Sequence, residues 1–430
     1  MTTPEAAGGP APAAEPPVSP RRGGMVFILI TIALDMIAFG IIAPVFAPLV
    51  VQFMGGNASR AAALLAVFGT SFALMQFVFS PVLGVLSDRI GRKPVIVLSN
   101  LGLGLDYVVM ALAPNLAWLF LGRIVSGITS SSATAASAYI ADVVPPEKRA
   151  GAFGLFGAAF GLGFIVGPAV GGFLGAYGAR VPFWAAAVVS ILNAVYGAFV
   201  LPESLSAERR KPFSFARANP LGSLRLLRRH RELSGLATAT FLSILASVSL
   251  QSAFVIYVVY RYHWDSRAIG LSLTMVGLCS VVVQAAATGP LVKKLGERRA
   301  IYAGIASGAL GLALYGFAPA GFVIFAATPI LMFWGLTSAA AQQIMTRHMA
   351  PNEQGELQGA IGSLRGLAFL IGPAVYSLTL AAAIGPLKAW MPPGASWYLA
   401  ALVLLAAAIP ARAALRAEVV AVAHPSTGSG

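Results

Sequence analysis

The stretch GVLSDRIGRK, Gly84 to Lys93, sits between two long apolar runs and decides how the rest of the chain is read. It carries Asp88, Arg89, Arg92 and Lys93 on a short turn with Gly84 and Gly91. Ionised side chains are costly to bury, so a loop this charged between greasy segments marks a water boundary. The runs on either side, Ala61–Leu83 and Pro94–Ala113, are long enough for helices through a bilayer. Such a crossing takes about 20 residues at 1.5 Å of rise each.

Ten more runs of this kind follow from the same count. They are Val26–Val51, Leu116–Asp142, Ala150–Gly175, Val181–Leu201, Leu233–Tyr260, Ala268–Val292, Ala300–Ala318, Phe322–Thr346, Leu357–Ile384 and Ser396–Ala411. The composition agrees, with 58% hydrophobic and 10% charged residues in 430. A soluble domain carries about 25% charged residues. The sequence therefore predicts an all-α membrane protein of twelve transmembrane helices. Arg21-Arg22 before the first run resembles the basic start of a signal peptide, but the run is too long for one and is read as a retained span.

Twelve spans place both termini on one side. Of the 29 Lys and Arg residues, 22 fall in the tails and even-numbered connections and five in the odd ones, with Arg123 and Arg365 inside spans. Basic residues concentrate on the cytoplasmic side, so the termini and the Gly84–Lys93 loop are expected there. The net charge of +14 is thus an orientation signal, and nucleic acid is not expected as a partner. Residues 1–24 read as a disordered cytoplasmic tail and 417–430 as a second tail. The long polar connection 202–232 reads as a cytoplasmic linker. In it Leu221, Leu224 and Leu227 alternate with Arg225, Arg228 and Arg229, a pattern that suits a short helix on an anionic membrane surface.

The chain also repeats itself. A shift of 205 residues takes Gly84 to Gly289, Gly91 to Gly296, Pro146 to Pro351 and Gly167-Pro168 to Gly372-Pro373. Two six-helix bundles, 25–201 and 233–416, follow from this offset. Such repeats enclose a midplane site and rock to open it alternately to each side.

The remaining signals are polar groups inside spans. Asp35 and Asp106 lie about midway along the first and third runs. A carboxylate at that depth costs at least ~2.5–3.5 kcal/mol, so it faces a cavity or a partner. They read as protonation sites, or as buried acids satisfied by a hydroxyl or by Arg123. Gln76, Gln251, Gln284, Gln342 and Gln343 are polar groups suited to an uncharged part of a ligand, or to joining helices. Gly163, Gly167, Gly171 and Gly172 with Pro168 read as a close-packing face, either static or at a moving interface. The one cysteine, Cys279, and four scattered histidines offer neither disulfide nor metal site. No phosphate-binding GxxxxGK[ST], HExxH or nucleophile–base set is present, so neither an enzyme nor an ATP-driven pump is expected.

At this point the motifs meet a family. GVLSDRIGRK resembles the loop between the second and third spans of the major facilitator superfamily. Gly122-Arg123 and GFIVGPAVGG (Gly163 to Gly172) resemble its fourth- and fifth-span motifs, the latter typical of antiporters. LDMIAFGIIAPV from Leu34, FALMQFVFSPVLGVLSDRIGRKPV from Phe72, GRIVSGIT from Gly122 and QGELQG from Gln354 are similar to the tetracycline-efflux proteins of bacteria.

The resemblance implies a proton-coupled drug antiporter of the inner membrane that confers antibiotic resistance by alternating access. Asp35, Asp106 and Arg123 would handle the proton. Gln76, Asp106, Gln251, Gln284 and Gln343 would meet a small amphipathic substrate. Gly84, Asp88, Arg89, Gly91, Arg92 and Asp142 would form a cytoplasmic gate. The proton gradient supplies energy without a cofactor, although a divalent cation carried by the substrate is compatible. Protons, the small molecule and the lipid bilayer are the expected partners, and the protein is expected to act as a monomer. Two positions depart from the family: Gly308 stands where it has a span-nine acid and Ser280 where it has a span-eight histidine. Every acid deep inside a span then lies in the first half. The alternatives are an exporter of other drugs or metabolites, an uncoupled facilitator, and a non-transporting membrane receptor.

Overall fold

A computed structural model describes residues 22–130, 132–213, 219, 226, 233–349 and 353–423. Most of the 1–24 tail, the amphipathic pattern at 221–229 apart from Leu226, and residues 424–430 lie outside the described residues. The described chain is helical, with no strand. The first half contains α1 (Arg22–Phe53), α2 (Ala58–Ile90), α3 (Arg92–Leu112), α4 (Leu116–Thr129), α5 (Ser132–Val143), α6 (Arg149–Gly175) and α7 (Val181–Phe199). The second contains α8 (Ser234–Ser252), α9 (Phe254–Tyr262), α10 (Ser266–Val282), a π-turn (Val283–Thr288), α11 (Gly289–Leu295) and α12 (Glu297–Phe317). It ends with α13 (Gly321–Met332), α14 (Gly335–Arg347), α15 (Gln354–Ala383), α16 (Ala395–Ala406) and α17 (Ala408–Ala423).

Eleven helical segments among the described residues are long and apolar enough to cross a membrane. The run read as a fourth span is described in two pieces, α4 and α5, on either side of residue 131, and neither piece alone is long enough to be counted. Thr129 Oγ1 donates to Val125 O at 2.9 Å and Ser130 Oγ to Gly127 O at 3.2 Å. Such hydroxyl bonds to the preceding turn also occur within continuous helices, as from Thr31 to Phe27 O at 3.1 Å and from Ser137 to Ala133 O at 2.8 Å.

Capping residues set the other boundaries. Asn57 accepts from Arg60 N at 2.9 Å at the start of α2, and Asp265 accepts from Ala268 N at 2.9 Å at the start of α10. Gly91, at φ 110°, makes the break between α2 and α3, and Gly296, at φ 78°, makes the corresponding break between α11 and α12. Only glycine takes such angles without strain. Outward-facing Trp184, Val188, Leu192, Val195 and Phe199 give α7 an exposed apolar stripe, as expected of a surface that meets lipid.

Two antiparallel seams join the halves, α2 with α15 and α6 with α10. Along the first, Ser59 Oγ donates to Ala381 O at 2.8 Å, and a Cβ on Gly69 would lie 2.9 Å from Pro373. Along the second, Cβ atoms on Gly172 and Gly270 would each lie 2.8 Å from the other's Cα. Both seams part toward the end carrying the Gly84–Lys93 loop. On α6 the same face touches Val281 from Gly161, yet Gly157 and Gly154 have nothing within 4 Å. On α15, Gly366 meets Phe77, whereas Gly362 and Gly355 are open. The halves thus form a wedge, shut at the far end and open at the motif end. The apolar core divides the same way: one cluster spans both halves, and a smaller one, with Ile28, Ile96, Tyr139 and Leu201, belongs to the first half alone.

Candidate functional site

Serines on α4 and α5 lie beside both deep acids. Ser126 on α4 donates to Asp106 on α3, and Ser132 at the head of α5 donates to Asp35 on α1. Asp35 is 4% exposed and Asp106 2%, so each carboxyl is closed off from water. Gly122 permits the approach of α3 and α4, since a Cβ there would lie 2.9 Å from Asp106 Oδ1. That Oδ1 has no partner.

Arg123 is held between two rings, with its guanidinium carbon 4.9 Å from the centroids of Phe46 and Phe72. Its Nε is buried without a hydrogen-bond partner, and its charge acts on Asp106. Asp35, Tyr107, Arg123, Ser126 and Ser130 share the wall of one cavity with Phe39 and Phe72. Its volume is about 20 Å³, room for roughly one water molecule. A drug-sized ligand needs ~300–1,000 Å³, so this cavity suits a proton and its carrier, and the wedge between the halves is the space for a larger molecule.

Of the glutamines, Gln76 reaches this group, donating to Ser130 Oγ at 3.2 Å. Gln251, Gln284 and Gln343 are exposed and stand apart from it, with Gln284 bonded to Ser280 Oγ at 2.6 Å. The glycine face divides between two partners. Gly163, Gly167 and Gly171 press on α1 at Met36, Gly40 and Ile41, whereas Gly172 and the carbonyl of Pro168 press on Gly270 across the seam between halves.

At the motif loop, Arg92 pairs with Asp88 at 2.6 Å and with Asp142 at 3.0 Å, and donates to Ser87 Oγ at 2.7 Å. Arg89 faces outward and is exposed. The shift of 205 residues takes Arg92 to Glu297 and Asp142 to Arg347, and these two pair at 2.9 Å. The second half therefore keeps the bridge with its signs exchanged. The position of Gly308 is closed: a Cβ there would lie 2.6 Å from Leu404 Cδ2 and 2.8 Å from Trp334 Cγ. Trp334 is itself anchored, donating from Nε1 to Ser243 Oγ at 2.7 Å.

Sequence reading did not assign roles to Ser126, Ser132, Tyr107, Phe46, Phe72 or Glu203. The serines had a signal in the polar, small-residue stretch 126–134 after Arg123, whereas the rings and Glu203 come into place only through contacts distant in sequence.

Comparison with known proteins follows the same lines. Residues 28–373 match the model of the Major Facilitator Superfamily. The chain is 39% identical to the class C tetracycline resistance protein of Escherichia coli, over 89% of this chain and 96% of that one. It is 36% identical to the class G tetracycline resistance protein of Vibrio anguillarum, over 89% and 96%. The human organic anion transporter MFSD10 shares the fold, with a TM-score of 0.67 at 22% identity, over 91% of this chain and 99% of that one.

Proposed function

Because the chain belongs to the Major Facilitator Superfamily, we propose that it exports a tetracycline-like amphipathic drug in exchange for protons. It is a multi-pass membrane transporter and not an enzyme. Counting α4 and α5 together as one crossing gives twelve spans, in bundles 25–201 and 233–416. The excess of basic residues at the motif end supports cytoplasmic termini and an inner-membrane orientation. The wedge then opens to the cytoplasm, where a drug would enter.

The observation that carries the reading is the pair of sealed acids, each on a serine, beside Arg123 and a cavity of about 20 Å³. Burying an uncompensated charge is costly, so each acid is stable there as a neutral group or with a partner. Rocking of the halves would expose them in turn, and gain and loss of a proton would bias the two states. Gln76 would link the wedge to the cavity through Ser130.

Asp35→Asn in inverted vesicles tests the coupling. The variant is expected to bind tetracycline but to lose its uptake against an imposed pH gradient. Uptake at the wild-type rate would remove Asp35 from the coupling. An uncoupled facilitator is the second reading, favoured by the absence of a deep acid in the described spans of the second half, where Gly308 is packed beneath Trp334. Tetracycline flux that ignores a protonophore would favour it.

A further inference from the structure

The segment that leaves the first half is bound to the motif loop at two points and to Asp142 at a third. The Glu203 carboxylate accepts from Arg92 N at 2.9 Å, Ser204 N at 3.0 Å and Leu205 N at 3.1 Å. Ser204 Oγ donates to Asp142 Oδ2 at 3.2 Å. Lys211 N donates to Asp88 O at 3.0 Å. Each of the three paired gate residues, Asp88, Arg92 and Asp142, thus also holds the connection. Gly91 makes room, since a Cβ there would lie 2.9 Å from Glu203 Cδ.

We propose that Glu203 is a positioning residue for the gate: its carboxylate straps the connection across the first turn of α3 and keeps Arg92 on Asp88 and Asp142 while the halves stand apart. The first amides of a helix have no partner within it and carry positive charge, so an acid on Arg92 N both satisfies the amide and fixes where α3 begins. Arg92 is then tied at both ends, by its amide to Glu203 and by its guanidinium to the two acids. Hydrogen bonds to an ionised group are roughly twice as strong as neutral ones, which suits a strap that must hold while a wedge opens and shuts.

This role rests on the transport reading above, and two measurements keep the two apart. The first is the distance between spin labels at Gly154→Cys and Gly289→Cys in a Cys279→Ser chain, which needs no substrate. The second is tetracycline uptake by inverted vesicles. Glu203→Ala is expected to shift the labels toward shorter distances, as the freed gate closes more often. It is also expected to lower the maximal rate about tenfold with KM unchanged, the sign of a lost step rather than lost binding. Glu203→Gln keeps the acceptor oxygen and should restore both readouts to within about threefold. Glu203→Ala with unchanged label distances overturns the proposal, whether or not protein yield falls. A Glu203→Gln as damaged as Glu203→Ala overturns it too. Wild-type vesicles that move no tetracycline would count against the substrate, and the label distances would still decide the strap.

Discussion

Arg123→Ala is expected to cut transport by two to three orders of magnitude without preventing membrane insertion. The guanidinium lies between Phe46 and Phe72, 4.9 Å from each ring, beside the closed-off Asp106. A cation held against a ring away from water is worth about 2 kcal/mol, so losing both rings costs about 3–4 kcal/mol. At about 1.4 kcal/mol per decade, that gives the expected loss if the cost falls on the transport cycle. Arg123→Lys separates charge from shape. It keeps a positive group but lacks the flat guanidinium that lies against two rings, so a loss of about tenfold or more is expected. Initial rates in inverted vesicles, scaled to protein amount, check both variants. An Arg123→Ala chain at a third of the wild-type rate would show that the arginine is packing rather than machinery.

Gly270→Leu should shift the wedge the other way. A Cβ at this position would lie 2.6 Å from Pro168 O and 2.8 Å from Gly172 Cα, both on α6. Helix backbone cannot move aside as a flexible side chain can, so the far end must open to admit a leucine. Overpacking of this kind costs about 1–3 kcal/mol, enough to shift a two-state balance by roughly 5- to 150-fold. The state shown here, closed at the far end, is the one penalised. Labels at Gly154→Cys and Gly289→Cys are expected to approach each other, and uptake to fall at least tenfold. Gly270→Ala, with a smaller intrusion, should fall between the leucine variant and wild type. Unchanged label distances in Gly270→Leu would mean that α6 and α10 do not form a moving contact.

Much of the architecture was legible because lipid imposes a simple rule. A crossing needs a long apolar run, and eleven such helices stand where the runs predicted them. The deep acids were legible for the same reason, since no other force would leave Asp35 and Asp106 in those runs. The twelfth run shows where the rule ends. It is described as α4 and α5 on either side of residue 131, and only the two together have the length of a crossing. The π-turn at Val283–Thr288 was not legible either. It precedes Pro290, which has no amide to offer the preceding turn, and within it Thr288 Oγ1 donates to Val283 O at 3.0 Å. The strap at Glu203 joins residues 111 positions apart, beyond any local pattern. The glycine face was read as a unit, yet its residues serve two partners, which the spacing alone does not separate.

The exchanged bridge reaches beyond the gate itself. Asp88, Arg92 and Asp142 sum to one negative charge on the first half, and Lys293, Glu297 and Arg347 to one positive charge on the second. Both sets lie at the open end of the wedge, where screening by salt acts over about 8 Å. Arg89, Lys93, Lys148 and Arg149 stand near the first set and Lys294, Arg298 and Arg299 near the second, so both lips of the opening are positive overall. A molecule arriving there would be drawn in by its negative end, whichever half it met first.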